Sequence, residues 1–185
     1  MLETYHVSME ELEAGMEHIR KSPKDNGALK MIVRRPQADE REIVKVAEIT
    51  IEDGLVGDNW KVRGSNHTPD GSARPEAQIT LMNARIIELI AQSEDRWALA
   101  GDQLYVDFDL SEENIPPGTR LSIGSVVVEV SSIPHTGCKK FSARFGLDAM
   151  KFVNSPEGRQ FHLRGINTRV VRAGVIREGD IVCKI

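Results

Sequence analysis

The chain has 185 residues, 40% of them hydrophobic and 28% charged, with a net charge of −4. These totals fit one globular domain of ordinary size with at most a short appended element. No apolar stretch approaches the about 20 residues of a membrane span, and the first residues lack a basic-then-apolar leader, so a cytoplasmic protein with no membrane partner is expected.

In chain order, residues 8–21 are predicted to form an amphipathic helix. Ser8 and Glu11 make a capping box, and Met9, Leu12, Met16 and Ile19 recur at spacings of three and four. Pro23 to Gly27 breaks the pattern, which makes residues 1–27 a helical appendage for packing or for facing a second copy in a homodimer. Short strands are predicted at 29–33 and 43–51, separated by a polar turn. A long loop follows from Asn59 to Glu76, rich in glycine and proline, and its length argues for function or mobility.

Residues 78–82 read as a strand, and Asn83 caps a helix running to Gln92 with Ile86, Ile87 and Ile90 on one face. Residues 104–110 alternate as a strand. The segments 119–123 and 126–132 form a hairpin through Gly124-Ser125. A short helical patch is expected near 147–153, and 167–172 and 181–185 are closing strands. Many short strands with few helices predict a mainly β chain, a closed or partly open twisted barrel over residues 28–185, with no internal repeat or linker.

Two cysteines are too few for a disulfide framework. Cys183 lies in an alternating tail and reads as a small hydrophobe of the final strand; a reducing compartment disfavours pairing it with Cys138. Cys138 follows the strand Val126–Val130 and the segment Pro134-His135-Thr136-Gly137. Pro134 ends strand pairing, and Gly137 allows a tight turn before the thiol. His135 precedes the thiol while Lys139 and Lys140 follow it, so positive charge should favour the thiolate, the form that attacks or binds metal. The alternative is an inert, partly buried thiol.

Charge is unevenly distributed. Residues 131–172 hold eight Lys or Arg against two acids, whereas the rest holds 16 bases against 26 acids. A local cationic region on an acidic chain points to a specific anionic ligand. Arg164 and Arg169 are candidates to hold a phosphate-like group; Arg169 and Arg172 sit on opposite faces of a strand, so only one can join Arg164. Solvated strand charge is the competing reading for each arginine. His135 could pair with the thiolate, tune its proton or cap the strand, and His67 reaches the site only if the long loop folds over it. No Cys-x-x-Cys or His-x-x-x-His spacing supports zinc, and no Walker loop, Gly-x-Gly-x-x-Gly or Gly-x-Ser-x-Gly occurs.

Five segments in order carry a family resemblance: Gly54-Leu55-Val56-Gly57-Asp58, Pro117–Gly124, Pro134–Phe141, Arg164–Asn167 and Gly174–Asp180. Together they resemble the MOSC family, the C-terminal domain of molybdenum cofactor sulfurases that also occurs as stand-alone bacterial proteins. The resemblance implies a barrel related to the small β-barrel of pyruvate kinase. It implies that Cys138 matches the cysteine thought to ligate molybdenum or carry transferable sulfur, in a protein that binds molybdenum cofactor (Mo-pyranopterin). His135 then joins Cys138 as a catalytic candidate, and Thr136, Lys139, Lys140, Arg164, Arg169 and Asn167 are candidates to bind the cofactor. Gly101-Asp102-Gln103-Leu104 departs from the family's Gly-Glu-Asn-Leu in side-chain length while keeping the chemical type at both positions. Pyridoxal phosphate belongs to a domain this length does not hold, so it is at most a family-level association.

The sequence leans toward an enzyme. It would reduce small N-hydroxylated substrates with electrons from a partner reductase, or it would relay sulfur from a donor protein. The alternative is a non-catalytic barrel binding nucleic acid or a nucleotide through the cationic surface; with aromatics at 5% of the chain, stacking platforms are few and nucleic acid is disfavoured.

Overall fold

The computed structural model of the chain describes residues 5–185, so the first four residues of the expected 1–27 appendage lie outside the described residues. Helices α1 (Met9–Ala14) and α2 (Met16–Arg20) occupy the predicted 8–21 span. The capping box forms in both directions, with Ser8 accepting from the Glu11 amide and the Glu11 carboxylate accepting from the Ser8 amide. The two helices meet at Gly15, where an added Cβ would lie 2.4 Å from the Leu89 side chain.

Strands then follow as β1 (Gly27–Arg34), β2 (Glu42–Val44), β3 (Val46–Thr50) and β4 (Gly54–Leu55). Helix α3 (Trp60–Arg63) opens the long loop, which ends in a 3-10 turn at Pro75–Ala77. Next come β5 (Ile79–Asn83), α4 (Ala84–Ala91), a 3-10 segment (Glu94–Ala100), β6 (Leu104–Asp107), β7 (Arg120–Ile123) and β8 (Val126–Val130). Helices α5 (Lys139–Phe145), α6 (Leu147–Asn154) and α7 (Pro156–Gln160) precede β9 (Ile166–Arg172), β10 (Gly174–Arg177) and β11 (Ile181–Lys184).

Seven strands close a barrel in the order β1-β6-β5-β9-β8-β7-β11, with β11 returning to β1 through Gly27↔Val182 and Ala28↔Ile181. Only β5 and β6 of that ring run parallel, so the barrel is mixed. β2 continues the sheet on the far half of β1, and β10, β3 and β4 form a small flanking sheet. Alternate residues point inward: Ile79 and Leu81, Leu104 and Val106, Leu121 and Ile123, and Val126, Val128 and Val130 fill the interior. The opposite faces of β1, β5 and β6 supply Met31, Val33, Met82 and Tyr105 to a second apolar layer. Leu12, Met16 and Ile19 join that layer beside Ile86, Ile87, Phe141, Phe145 and Phe152, so α1 and α2 are packed into the body of the protein. Among the described residues, no helix is long and apolar enough to cross a membrane.

Two differences from the sequence reading bear on function. The segment after Cys138, where the predicted helical patch began only near residue 147, is helix α5, held by Phe141 and Phe145 one turn apart with ring centroids 5.0 Å from each other. Gly137 is absent from the positive-φ residues; what its size permits is close packing, because a Cβ there would stand 3.1 Å from Val153 on α6.

Candidate functional site

A cleft of about 370 Å³ lies where the turn after β1, α3, the 98–103 turn, the 135–138 segment, α5 and the start of β9 converge. Cys138 lines it as an exposed free thiol at the residue preceding α5. His135, Lys140, Arg164 and Asn167 line the same cleft. Thr136 instead faces a neighbouring cavity, and Lys139 is exposed without lining the cleft. Arg169 stands apart, its guanidinium paired with Glu129 at 2.8 Å, and Arg172 donates to the Ser125 carbonyl, so β9 sends neither to the cleft. His67 borders a depression lined by Trp60, Arg63 and Pro134, adjacent to the cleft through Arg63.

Arg35, Arg41, Arg63 and Arg144 also line the cleft, and among the described residues Asp39 is the sole carboxylate in its lining. The backbone explains how so many guanidinium groups are held together. Four successive carbonyls leaving the 3-10 segment each accept from a different arginine. Ala98 O takes Arg41 Nε at 3.1 Å, Leu99 O takes Arg144 Nη1 at 2.7 Å, Ala100 O takes Arg164 Nη2 at 2.8 Å, and Gly101 O takes Arg35 Nη1 at 3.0 Å. A helical C-terminus leaves its last carbonyls unpaired and carries partial negative charge, which cations satisfy.

Two buried ion pairs lie beneath. Arg35 binds Asp58 through Nε and Nη2, both at 2.8 Å, and Asp58 also accepts from the Arg35 and Trp60 amides. This places the aspartate of the Gly54–Asp58 motif at the cleft floor. Arg164 binds Asp102 and lies over the Phe141 ring with its guanidinium carbon 5.0 Å from the centroid. Asp102 and Gln103 are fully buried, so this stretch braces the cleft from below; Gln103 Nε2 reaches Asp58 at 3.3 Å and Oε1 accepts from the Thr80 amide at 2.8 Å.

Asp39 pairs with Lys140 and Arg144. Among the described residues, Arg41 and Arg63 have no carboxylate partner. Lost solvation, then the nearby Arg144 and Arg35, pull Arg41 below the usual guanidinium range, and lost solvation followed by Arg35 does the same to Arg63. Cations crowded in this way favour an anion between them. His135 is pushed the same way. Burial first, then Arg164, lowers its imidazole to about 3 against the opposing pull of Asp102, so the ring is neutral at neutral pH and does not pair with a thiolate as a cation.

Asn167 donates to the Ile133 and Pro134 carbonyls at 3.1 and 3.3 Å, which fixes the segment leading to His135. Its amide nitrogen is therefore engaged in holding the loop. Sequence reasoning passed over Arg35, Arg41, Arg63 and Arg144; only the Gly-Asp motif signalled any of them, through the partner that Asp58 requires. Among the described residues, no group of three or more His, Cys, Asp or Glu could hold a metal ion. The donor set fits an anionic cofactor that brings most of a metal's ligands with it, and Cys138 would add one sulfur.

The MOSC domain sequence model matches residues 68–183. No match is found among curated proteins. The fold is similar to YiiM from Escherichia coli, 16% identical over 85% of this chain and 69% of that one, with a TM-score of 0.54. It is also similar to the YUAD protein from Bacillus subtilis, 13% identical over 85% of this chain and 94% of that one, TM-score 0.57. YiiM from Geobacillus stearothermophilus is 14% identical over 89% and 74%, TM-score 0.52. With the ordered motifs folded around one barrel and a family model spanning most of the chain, this protein belongs to the MOSC domain family.

Proposed function

We propose that this protein binds molybdenum cofactor in the cationic cleft, with Cys138 as the protein's ligand to the metal, and reduces small N-hydroxylated compounds in the cytoplasm. The observation that carries the reading is the opening into one cleft of an exposed thiol and of two guanidinium groups, Arg41 and Arg63, that have no carboxylate partner among the described residues. A soft thiolate suits a metal already held by sulfur, and guanidinium forks suit a terminal phosphate. When bound, the cofactor supplies two-electron redox chemistry, with electrons from a partner reductase. Arg41 and Arg63 would hold its anionic end, while Arg35 and Arg164, engaged with Asp58 and Asp102, keep the floor rigid. Lys140 and Arg144, both on α5 and paired with Asp39, line the α5 side.

The exposure of Cys138 favours one second reading, sulfur relay as a persulfide, because a donor protein must reach the thiol.

The test is metal analysis with pterin fluorescence on protein expressed in a cofactor-competent host, comparing wild type with Cys138→Ser. Molybdenum and pterin in wild type, with molybdenum lost from the variant, supports the reading. Wild type free of both, or salt-dependent oligonucleotide binding that Cys138→Ser leaves unchanged, would replace it with the nucleic-acid alternative or with sulfur relay.

A further inference from the structure

His135 is, among the described residues, the only one to line both the cationic cleft and a second cavity of about 450 Å³. That cavity differs in character. Pro117, Ile133, Val153 and Ile166 give it apolar walls, and its charged lining is one acid and one base, Glu112 and Arg159, with His162 beside them. It suits an uncharged organic molecule as plainly as the cleft suits an anion.

The orientation of the His135 ring is set from behind. Its Nδ1 lies 3.4 Å from Asp102 Oδ1, and both atoms are buried with no hydrogen-bond partner among the described residues. The other Asp102 oxygen is taken by Arg164. An imidazole nitrogen and a carboxylate oxygen can satisfy each other only if the nitrogen carries a proton, and a small rotation of the ring closes that bond. Nε2 also makes no hydrogen bond among the described residues, yet it is not among the buried unpartnered atoms, so it is the nitrogen open to a ligand. The side chain retains 19% of its accessible surface. The charged groups acting on the ring are Arg164, Asp102 and Arg35, from the turn before β9, the turn before β6 and the turn after β1.

We infer that the second cavity is the substrate pocket, and that His135, held by Asp102 as the Nδ1–H tautomer, uses Nε2 to accept a hydrogen bond from the hydroxyl of an uncharged, N-hydroxylated substrate at the boundary between the cavities. This rests on the reductive reading of the cleft. It divides the work: cations hold the cofactor on one side, the mixed-lining cavity holds the substrate body on the other, and His135 sets the hydroxyl between them. Asp102 acts through His135 and is a positioning residue.

The experiment follows nitrogen-15 and amide resonances of protein from a cofactor-competent host, titrated with benzamidoxime and with its O-methyl ether, which cannot donate from that oxygen. Expected are a protonated Nδ1 in the free protein, amide shifts at Thr136, His162 and Ile166, and binding of the ether at least about tenfold weaker. In His135→Phe, which keeps an aromatic ring without the acceptor, that discrimination should fall to less than about threefold. A protonated Nε2 in wild type, shifts confined to cleft residues, or unchanged discrimination in His135→Phe overturns the inference. Probe bound in the second cavity of protein lacking molybdenum would leave the pocket standing and remove the cofactor reading. Molybdenum-loaded protein with no shift there would do the reverse.

Discussion

The Asn154 carboxamide grips the backbone of Gly137 from both sides: Oδ1 accepts from the Gly137 amide at 2.8 Å and Nδ2 donates to its carbonyl at 3.1 Å. The last residue of α6 thereby fixes the peptide immediately before Cys138, and Gly137 packs so closely on Val153 that an added Cβ would stand 3.1 Å from it. Cys138 is consequently exposed as a side chain yet fixed as a backbone position. Asn154→Ala should lower stability by about 1–3 kcal/mol, because two half-buried backbone groups lose their partner. Urea unfolding measures the loss, and hydrogen exchange should show reduced protection at Gly137.

Asp58 holds Arg35 by two side-chain bonds, and its side chain has no exposed surface. Asp58→Ala leaves a buried guanidinium without its counter-charge, which costs about 3–5 kcal/mol. The denaturant midpoint should fall accordingly, with the slope unchanged if unfolding stays two-state. A surface arginine such as Arg169, paired with the partly exposed Glu129, should cost about 1 kcal/mol or less on conversion to Gln.

Anion binding separates the cleft from the rest of the cationic segment. Arg41→Gln and Arg63→Gln should each weaken binding of a pterin phosphate, and the double variant should reduce the salt dependence of the Kd. Arg169→Gln should leave both unchanged, since that side chain faces Glu129 away from the cleft. Isothermal titration at two ionic strengths decides between the outcomes.

The neutral imidazole of His135 makes stability depend on pH. Its native value is depressed to about 3 from the ordinary 6.5. Between those values the unfolded chain binds the proton and the native protein does not, so stability falls as pH drops from about 6.5 toward 3. The slope from this one group is at most about 1.4 kcal/mol per pH unit. Thermal melts from pH 7 to 4.5 should show this component in wild type and lose it in His135→Gln.

Thiol accessibility gives a further check. Cys138 is exposed, whereas Cys183 is half-buried with its thiol 3.3 Å from Asn26 Oδ1. Under limiting iodoacetamide, peptide mapping should find Cys138 modified first. Cys138→Ser should shift stability by no more than about 0.5 kcal/mol, as expected for an exposed side chain.

Local rules made much of this protein legible from its residues alone. Ser8 with Glu11 marked the first helix, Asn83 capped α4 and accepts from the Arg85 amide, alternation marked β6, and the Gly124-Ser125 turn marked β7 and β8 as a hairpin, because capping, strand periodicity and turn chemistry depend only on near neighbours. Cys138 stood out for the same reason, its proline, glycine and lysines all lying within a few residues. Tertiary structure alone decided which charges share a cleft. Arg35, Arg41 and Arg63 lie 75 to 103 residues before Cys138, while Arg169, in the segment the local charge count singled out, turns outward to Glu129. A guanidinium goes where unpaired carbonyls and carboxylates remain after the backbone has closed its barrel. Here those acceptors are the carbonyls of residues 98–101 and the buried Asp58 and Asp102, brought under the cysteine by strand pairing across the whole chain.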